Sequence, residues 1–246
     1  MHVHLGIVEG GCGVAFEYWG HSIPETHEER LALGTALVVV DLQRDFVHPQ
    51  GHCAKSMDVS CIGSVVPANA QLISLARLHS IPVIYTLVTQ HPEGAYASPR
   101  WIADNLRYPN FEPVQCIEGT WGWELDDDVA PNAGDILLRK YRRSAFVGTN
   151  LVEVLHALRV ETLIVSGVAA TGCVESTVRD AIEHDFFVAV AKDCIGDATP
   201  ELVQAACDTF ERILLAGDLT NATQLAETLV KVEARPRGAA ASTIGP

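Results

Sequence analysis

Runs of β-branched and apolar residues alternate along most of the chain with segments whose apolar residues recur at helical spacing. The runs predict strands at 36–40, 82–87, 136–140, 163–165, 187–191 and 213–215. Helices are predicted from Pro67, from Asn150 through a capping-box-like pair with Glu153, after Cys173, from Thr199-Pro200 and over 221–232. Alternation without a repeat or linker is typical of one doubly wound α/β domain, a mostly parallel sheet sandwiched by helices.

The pattern also predicts the domain boundaries. Residues 36–232 form the predicted domain, and 233–246, rich in Ala, Gly and Pro, read as a disordered tail. Residues 1–35 contain GGCG at 10–13, but no strong strand precedes it and the GxGxxG pattern is not met. We therefore expect 1–35 to be an extension that packs on the domain or on a neighbouring subunit.

The composition and charge of the chain limit which partners it is expected to bind and in which compartment it is expected to occur. A formal charge of −14 argues against binding to nucleic acid or to an anionic membrane, and leaves a small-molecule substrate. We find no secretory signal pattern and no apolar run close to the roughly 20 residues of a membrane span. The seven cysteines are scattered, with no CxxC or Cys/His metal spacing, which favours a reduced, cytoplasmic protein.

Three predicted strand–loop junctions carry chemically active side chains: Asp41, Lys140 and Cys173. Ligands of open α/β sheets bind at the carboxyl ends of the strands. We expect Asp41 and Lys140 to end adjacent central strands and to flank Cys173. Cys173 follows a small-residue turn and starts a helix, where free N–H groups and the helix dipole can lower a cysteine pKa to roughly 3.5–7.5.

Each of these residues has an ordinary structural alternative. Cys173 is equally a small buried residue, and Lys140 a solvated charge at a strand end. For Asp45 the default role is capping or fixing a loop. The aromatic residues Phe46, Trp121 and Tyr141 either wall a pocket for a small planar substrate or belong to the core. The long segment 88–135 is either a lid or wall of the site or a surface excursion.

Three sequence blocks together resemble the isochorismatase-like cysteine hydrolases. They are VVVDLQRDF, LRKYRRSAF with GTNL after it, and GVAATGCVESTVRDA, and the resemblance runs from about 36 to 229. It implies the three-layer fold of that family, with Cys173 as nucleophile, Asp41 as general base and acid, and Lys140 as the cation beside them. It also implies a cis peptide before Ala169, an oxyanion site made by the N–H groups of Ala169 and Cys173, and a dimer or tetramer.

The resemblance also narrows the reaction. Non-amidase branches lack the cysteine, so Cys173 points to hydrolysis of a C–N bond. Nicotinamidases add a metal site with an Asp-x-His motif and a later histidine; here the first region reads TQHPEG and Gln115 stands at the histidine position. We therefore expect no metal or cofactor, and Gln115 as a substrate contact. The run CVESTVRD is most similar to ureidoacrylate amidohydrolases and carbamoyl amidases, with biuret hydrolases nearby.

The sequence thus predicts an amidohydrolase that cleaves a small amide, carbamoyl or ureido substrate through a thioester and releases ammonia or an amine. Alternatives that remain open are a nicotinamidase-like enzyme, a lactam- or ester-cleaving hydrolase and a non-catalytic binding protein of the same fold. A nucleotide-binding α/β domain is disfavoured because the first strand is not followed by a Gly-rich fingerprint.

Overall fold

A computed structural model describes residues 6–9, 14–18, 21–106 and 115–233. The strands are β1 Gly6–Glu9, β2 Val14–Tyr18, β3 His21–Ile23, β4 Thr35–Val40, β5 Val83–Val88, β6 Ile136–Lys140, β7 Thr162–Val168, β8 Phe187–Gly196 and β9 Leu219–Thr220. The α-helices are α1 His27–Ala32, α2 Arg44–Val47, α3 Ser60–Gly63, α4 Val66–Leu78, α5 Pro99–Asn105, α6 Leu151–Ala157, α7 Glu175–Glu183, α8 Pro200–Ile213 and α9 Ala222–Glu233.

Six of these strands form one parallel sheet in the order β6-β5-β4-β7-β8-β9. Its two faces carry separate cores. On one face Leu37 and Val39 pack with residues of α4 and α9. On the other, Val38 and Val40 pack with residues of α6, α7 and α8. Because β4 is buried on both faces, it is a continuous apolar run and does not alternate with polar residues. The expected doubly wound, mostly parallel sheet between helical layers is confirmed.

The N-terminal segment adds a small antiparallel sheet, β1-β2-β3, and the helix α1. Thr26 caps α1 in a capping box with Glu29. Helix α1 contacts α9, and its buried Arg30 forms an ion pair with Asp218 at the start of β9, 2.9 Å between Nη2 and Oδ1. The GGCG turn at 10–13 and the predicted tail from 234 onward lie outside the described residues.

Two local predictions are wrong. The run at 213–215 is not a strand: α8 continues to Ile213, and the last strand is β9. A three-residue apolar run cannot separate a strand from the end of an amphipathic helix. Asn150 precedes α6 without a side-chain cap. The Thr149 hydroxyl accepts the Leu151 N–H instead, at 3.2 Å.

Among the described residues, one helical stretch, 60–78, has the length and composition of a membrane span. It consists of two helices, α3 and α4, separated by a turn at 64–65. Leu72 and Ile73 of α4 belong to the core. The buried Asn69 amide donates to the Cys194 carbonyl of β8 at 2.8 Å. These contacts are those of a helix packed on the central sheet.

Candidate active site

Asp41 follows β4 directly and is almost fully buried, with 1% of its surface exposed. Its backbone lies in the left-handed region, φ 53°, which is uncommon for a residue with a side chain and recurs at functional sites. Two hydrogen bonds with Thr86 of the neighbouring strand β5 fix the position of Asp41. The Asp41 N–H donates to the Thr86 carbonyl at 3.2 Å, and the Thr86 hydroxyl donates to Asp41 Oδ1 at 2.7 Å.

Lys140 ends β6 with a fully buried side chain. Its Nζ lies 2.7 Å from Asp41 Oδ2. The ammonium also donates to the carbonyls of Arg142 at 3.0 Å and Arg143 at 2.9 Å. A buried charge needs such partners to offset its lost hydration. Lys140 is therefore a fixed cation at the end of the sheet, and not a solvated strand-end charge.

The expected adjacency of the two strands is wrong. Strand β5 lies between β4 and β6, and β6 is at the edge of the sheet. Because neighbouring strands are about 4.8 Å apart, Asp41 and Lys140 start from strands separated by about 10 Å. The ion pair forms because the long lysine side chain reaches across the end of β5.

Cys173 lies in a π-helical turn, Ala170–Val174, between β7 and α7. Asp41 and Lys140 both act on the pKa of its thiol through their charges and close side-chain contact, so the three side chains lie together. The expectation that Cys173 occupies the first turn of a regular α-helix is wrong, because α7 begins at Glu175. The Val174 N–H instead donates to the Ala169 carbonyl five residues back, at 3.1 Å.

The electrostatics of the thiol also differ from the expectation. The pKa of Cys173 is raised to about 11 as the net result of three causes: burial raises it most, the charge of Lys140 lowers it, and the charge of Asp41 raises it. Burial by itself would lower the pKa of Lys140, but Asp41 and Cys173 raise it, and the net shift is upward. The predicted depression of the cysteine pKa is thus wrong for the free protein, because burial and the nearby carboxylate outweigh the single cation.

The turn that carries Cys173 is shaped by its neighbours on β4 and β8. Gly167 has φ 105°, and a Cβ there would lie 2.1 Å from the Val40 carbonyl oxygen, so only glycine lets β7 approach the end of β4. The cis peptide between Val168 and Ala169 is present. The oxyanion role of the Ala169 and Cys173 N–H groups stays a prediction.

Three positioning residues were not predicted from the sequence: Thr86, Thr177 and Asp197. Asp197, just after β8, accepts the Thr171 N–H at 2.8 Å and the Thr171 hydroxyl at 2.7 Å. The Thr177 hydroxyl donates to the Cys173 carbonyl at 2.7 Å and accepts the Ala145 N–H at 3.0 Å. The sequence offers a signal for two of them: Thr86 is a polar residue inside an apolar strand, and Asp197 is an acid directly after another strand.

Asp45 has the loop-fixing role that was its default. Its Oδ1 accepts the His52 N–H at 2.9 Å, and its Oδ2 accepts the Cys116 N–H at 2.6 Å. The carboxylate therefore ties together two loops that follow β4 and β5. It is buried, and its contacts are structural.

The four candidate substrate contacts occupy different surroundings. Tyr141 lies next to Lys140, and its ring centroid is 4.3 Å from that of Tyr96. Trp121 is 45% exposed and packs against Arg44. Phe46 is half-buried against the core, and Gln115 is buried. Their roles in substrate binding stay predictions.

The side chains around this site do not fit the nicotinamidase metal site. The Asp-x-His motif is missing, and Gln115 stands where the resemblance predicts a histidine ligand. Across the part of the chain that the structure describes, no group of three or more His, Cys, Asp or Glu side chains could hold a metal ion.

Comparison with known proteins gives consistent matches. The family described as Isochorismatase domain matches residues 35–224. The chain is 34% identical over 182 residues to the ureidoacrylate amidohydrolase RutB of Methylobacterium radiotolerans, covering 70% of each protein.

Two of the solved structures with the same fold are an isochorismatase family protein and an N-carbamoylsarcosine amidase. An isochorismatase family protein from Desulfovibrio vulgaris is 27% identical with a TM-score of 0.68, covering 80% of this chain and 99% of that one. The N-carbamoylsarcosine amidase from Thermoplasma acidophilum is 25% identical with a TM-score of 0.62, covering 77% of this chain and 97% of that one.

Proposed function

Since the chain belongs to the isochorismatase family of hydrolases and its relatives act on C–N bonds, we propose that it is a cysteine-dependent amidohydrolase. Cys173 is the nucleophile, Asp41 the proton carrier and Lys140 the cation that holds both. The substrate is a small amide, carbamoyl or ureido compound, and the reaction passes through a thioester and releases ammonia or an amine.

One observation carries this proposal. The Lys140 Nζ lies 2.7 Å from Asp41 Oδ2, both side chains are buried, and both act on the pKa of the neighbouring Cys173 thiol. A buried carboxylate beside a thiol raises the free energy of the thiolate, which is an arrangement that stability alone does not favour. Perturbed and coupled titratable groups of this kind cluster at catalytic sites.

The first half of the mechanism follows from the proton on Cys173. With a pKa of about 11 the resting group is a thiol. As the substrate carbonyl approaches, Asp41 takes this proton and the sulfur bonds to the carbonyl carbon, whose π electrons move to the oxygen. The N–H groups of Ala169 and Cys173 bind the oxyanion. The C–N bond then breaks, the nitrogen takes the proton from Asp41, and a thioester remains.

The second half regenerates the enzyme. Asp41, again ionised, takes a proton from water as the hydroxide adds to the thioester carbon. The C–S bond breaks, and the proton held by Asp41 returns to the Cys173 sulfur. Lys140 stays protonated throughout because both partners raise its pKa. Its role is to offset the negative charge, whether that charge is on Asp41 or on Cys173.

The names of the relatives support the substrate class. One matched protein is a ureidoacrylate amidohydrolase and another an N-carbamoylsarcosine amidase. Both names describe a substrate in which a carbonyl is bonded to nitrogen. We extend this shared C–N chemistry, without the particular substrate, to the present chain.

Replacing the nucleophile tests the proposal. We expect Cys173→Ala and Cys173→Ser to lower ammonia release from a panel of amides, carbamoyl compounds, ureido acids and biuret by at least about a thousandfold, since removing a nucleophile removes the covalent path. Cys207→Ser is the matched control, because this buried cysteine lies in α8.

The circular dichroism spectrum should be unchanged in each variant. Near-parental ammonia release by a folded Cys173→Ala protein would refute the nucleophile assignment.

A further inference from the structure

Two buried glutamines carry amide atoms without partners. Gln90 is 2% exposed and Gln115 is 8% exposed. Among the described residues, nothing forms a hydrogen bond with Nε2 of Gln90 or with Oε1 of Gln115. Buried polar atoms are nearly always hydrogen-bonded, so an unpaired buried donor and acceptor require an explanation. The two atoms are complementary in chemistry, yet they do not satisfy each other.

The two glutamines lie on neighbouring stretches of backbone. Gln90 follows β5 by two residues, and its N–H donates to the Cys116 carbonyl at 2.9 Å. The Glu118 N–H donates in turn to the Gln90 carbonyl at 2.9 Å. The chain beyond Gln115 therefore runs beside Gln90 in a parallel bridge, which brings the two side chains into one part of the molecule.

This part of the molecule adjoins the catalytic set. The Thr89 N–H, one residue before Gln90, donates to the carbonyl oxygen of Lys140 at 2.9 Å. Burial is the main cause that raises the pKa of Cys116, and the charges of Asp41 and Lys140 act on the same thiol. The residue after Gln115 is thus within electrostatic reach of the catalytic ion pair.

We propose that Gln90 and Gln115 form a recognition pair for a neutral amide-type group of the substrate, separate from the carbonyl that Cys173 attacks. The Gln90 Nε2 donates to the carbonyl oxygen of this second group, and the Gln115 Oε1 accepts its N–H. This inference rests on the proposed function and deepens it, because it identifies the chemistry of the substrate beyond the scissile bond.

A substrate group that binds both the Gln90 donor and the Gln115 acceptor must itself offer an acceptor and a donor, which excludes several functional groups. A carboxylate or an ester offers only acceptors, so it would leave Gln115 Oε1 buried and unpaired. An alkyl group would leave both atoms unpaired. A primary carboxamide or a second ureido group has the required acceptor and donor on one edge. The preferred substrates therefore carry two H–N–C=O units.

Binding to an inactive variant tests the pair independently of turnover. The ligands are N-carbamoylglycinamide and N-carbamoylglycine methyl ester, which share the ureido group and differ in the N–H that Gln115 would accept. In Cys173→Ala, calorimetry should find the amide bound at least about tenfold more tightly, the contribution of one neutral hydrogen bond.

Adding Gln115→Met should reduce this ratio to near one, while adding Gln90→Met should weaken both ligands alike because it removes the donor to their shared carbonyl. Gln71→Met, at an exposed position of α4, is the control and should retain the tenfold ratio.

The outcomes separate the two proposals. Equal binding of amide and ester to Cys173→Ala, no binding of either ligand, or an unchanged ratio after Gln115→Met would overturn the recognition pair. None of these results depends on whether Cys173 is the nucleophile. If Gln115→Met does not fold, Gln115→Leu and the Gln90 variant apply the same test, and thermal unfolding shows which proteins are native. Loss of hydrolysis with the ratio intact would count against the proposed function alone.

Discussion

At the residue scale, the candidate site sets two buried charges, Asp41 and Lys140, beside the Cys173 thiol. Burial and the Asp41 carboxylate raise the pKa of Cys173, and the Lys140 ammonium lowers it. The proton that Asp41 is proposed to take lies on the neighbouring thiol. Asp41 can therefore serve as base and acid in succession, because substrate binding has to move the proton only between neighbouring atoms.

Removing the charge of Asp41 and removing the charge of Lys140 should shift the pKa of the Cys173 thiol in opposite directions. At pH 9, below the Cys173 pKa of about 11, the thiolate fraction changes about tenfold per unit of pKa. Asp41→Asn removes the like charge, so the pKa falls and iodoacetamide alkylates Cys173 faster. Lys140→Met removes the cation, so the pKa rises and alkylation slows.

Rates of alkylation between pH 7 and 10, with the modified residue identified by mass spectrometry, measure both effects. If the two variants shift the profile in the same direction, the charges do not control the thiol. Both should lose turnover, because one lacks the proton carrier and the other lacks the cation that offsets the negative charge.

At the scale of elements, the site depends on how the ends of five neighbouring strands, β6, β5, β4, β7 and β8, are joined. Strand β5 holds Asp41 through Thr86, and β8 holds the Cys173 turn through Asp197. Neither Thr86 nor Asp197 needs to touch substrate. Their hydrogen bonds fix groups that must be positioned within a fraction of an ångström for reaction.

Removing the support from β8 should reduce turnover without removing any reacting group. We expect Asp197→Ala to lower kcat by about ten- to hundredfold, as expected for a displacement of about 1 Å. It should also lower the free energy of unfolding by about 1–3 kcal/mol, because the Thr171 N–H and hydroxyl lose their acceptor.

Asp193→Ala is the matched control. Asp193 is an exposed acid of β8 that accepts the Ala222 N–H at 3.0 Å, so its loss should affect stability and leave kcat unchanged. Steady-state kinetics and urea unfolding distinguish the two variants. A kcat for Asp197→Ala equal to that of the parent would show that the turn keeps its geometry without β8.

At the scale of the whole molecule, the N-terminal helix closes one end of the sheet. Arg30 of α1 is 2% exposed and forms two hydrogen bonds of 2.9 Å with the Asp218 carboxylate, from Nε to Oδ2 and from Nη2 to Oδ1. The pair joins residues that are 188 positions apart in the chain. It links α1 to the start of β9.

Breaking this buried pair should destabilise the whole fold. We expect Arg30→Ala to lower the free energy of unfolding by about 3–5 kcal/mol, because the buried Asp218 carboxylate loses the guanidinium charge and keeps only the contact with His27 Nδ1 at 2.7 Å. Arg179→Ala breaks the exposed Glu175–Arg179 pair of α7 and should cost only about 0.3–0.5 kcal/mol.

Urea unfolding measures both changes, and ammonia release per folded molecule should be the same for Arg30→Ala as for the parent. Equal losses of stability in the two variants would contradict the structural role of Arg30.

The sequence by itself determined the class of fold and which side chains meet at the candidate site. Buried parallel strands need continuous apolar runs, so five of the six strands of the main sheet were visible as runs bounded by turns and helices. The residues that close those strands, Asp41 and Lys140, and Cys173 after β7, were visible because polar side chains at such positions are conspicuous. The last strand was missed because β9 has only two residues.

Only the tertiary structure decided the order of the strands and the protonation of the thiol. Strand order depends on pairing between distant segments, and local periodicity carries no information about it; hence β5 was not expected between Asp41 and Lys140. The pKa of Cys173 depends on burial and on the distance to a carboxylate 132 residues earlier, the difference between positions 173 and 41. The unpaired amide atoms of Gln90 and Gln115 can likewise be seen only in the folded chain. Whether a buried polar atom has a hydrogen-bond partner depends on its surroundings and not on the residue type.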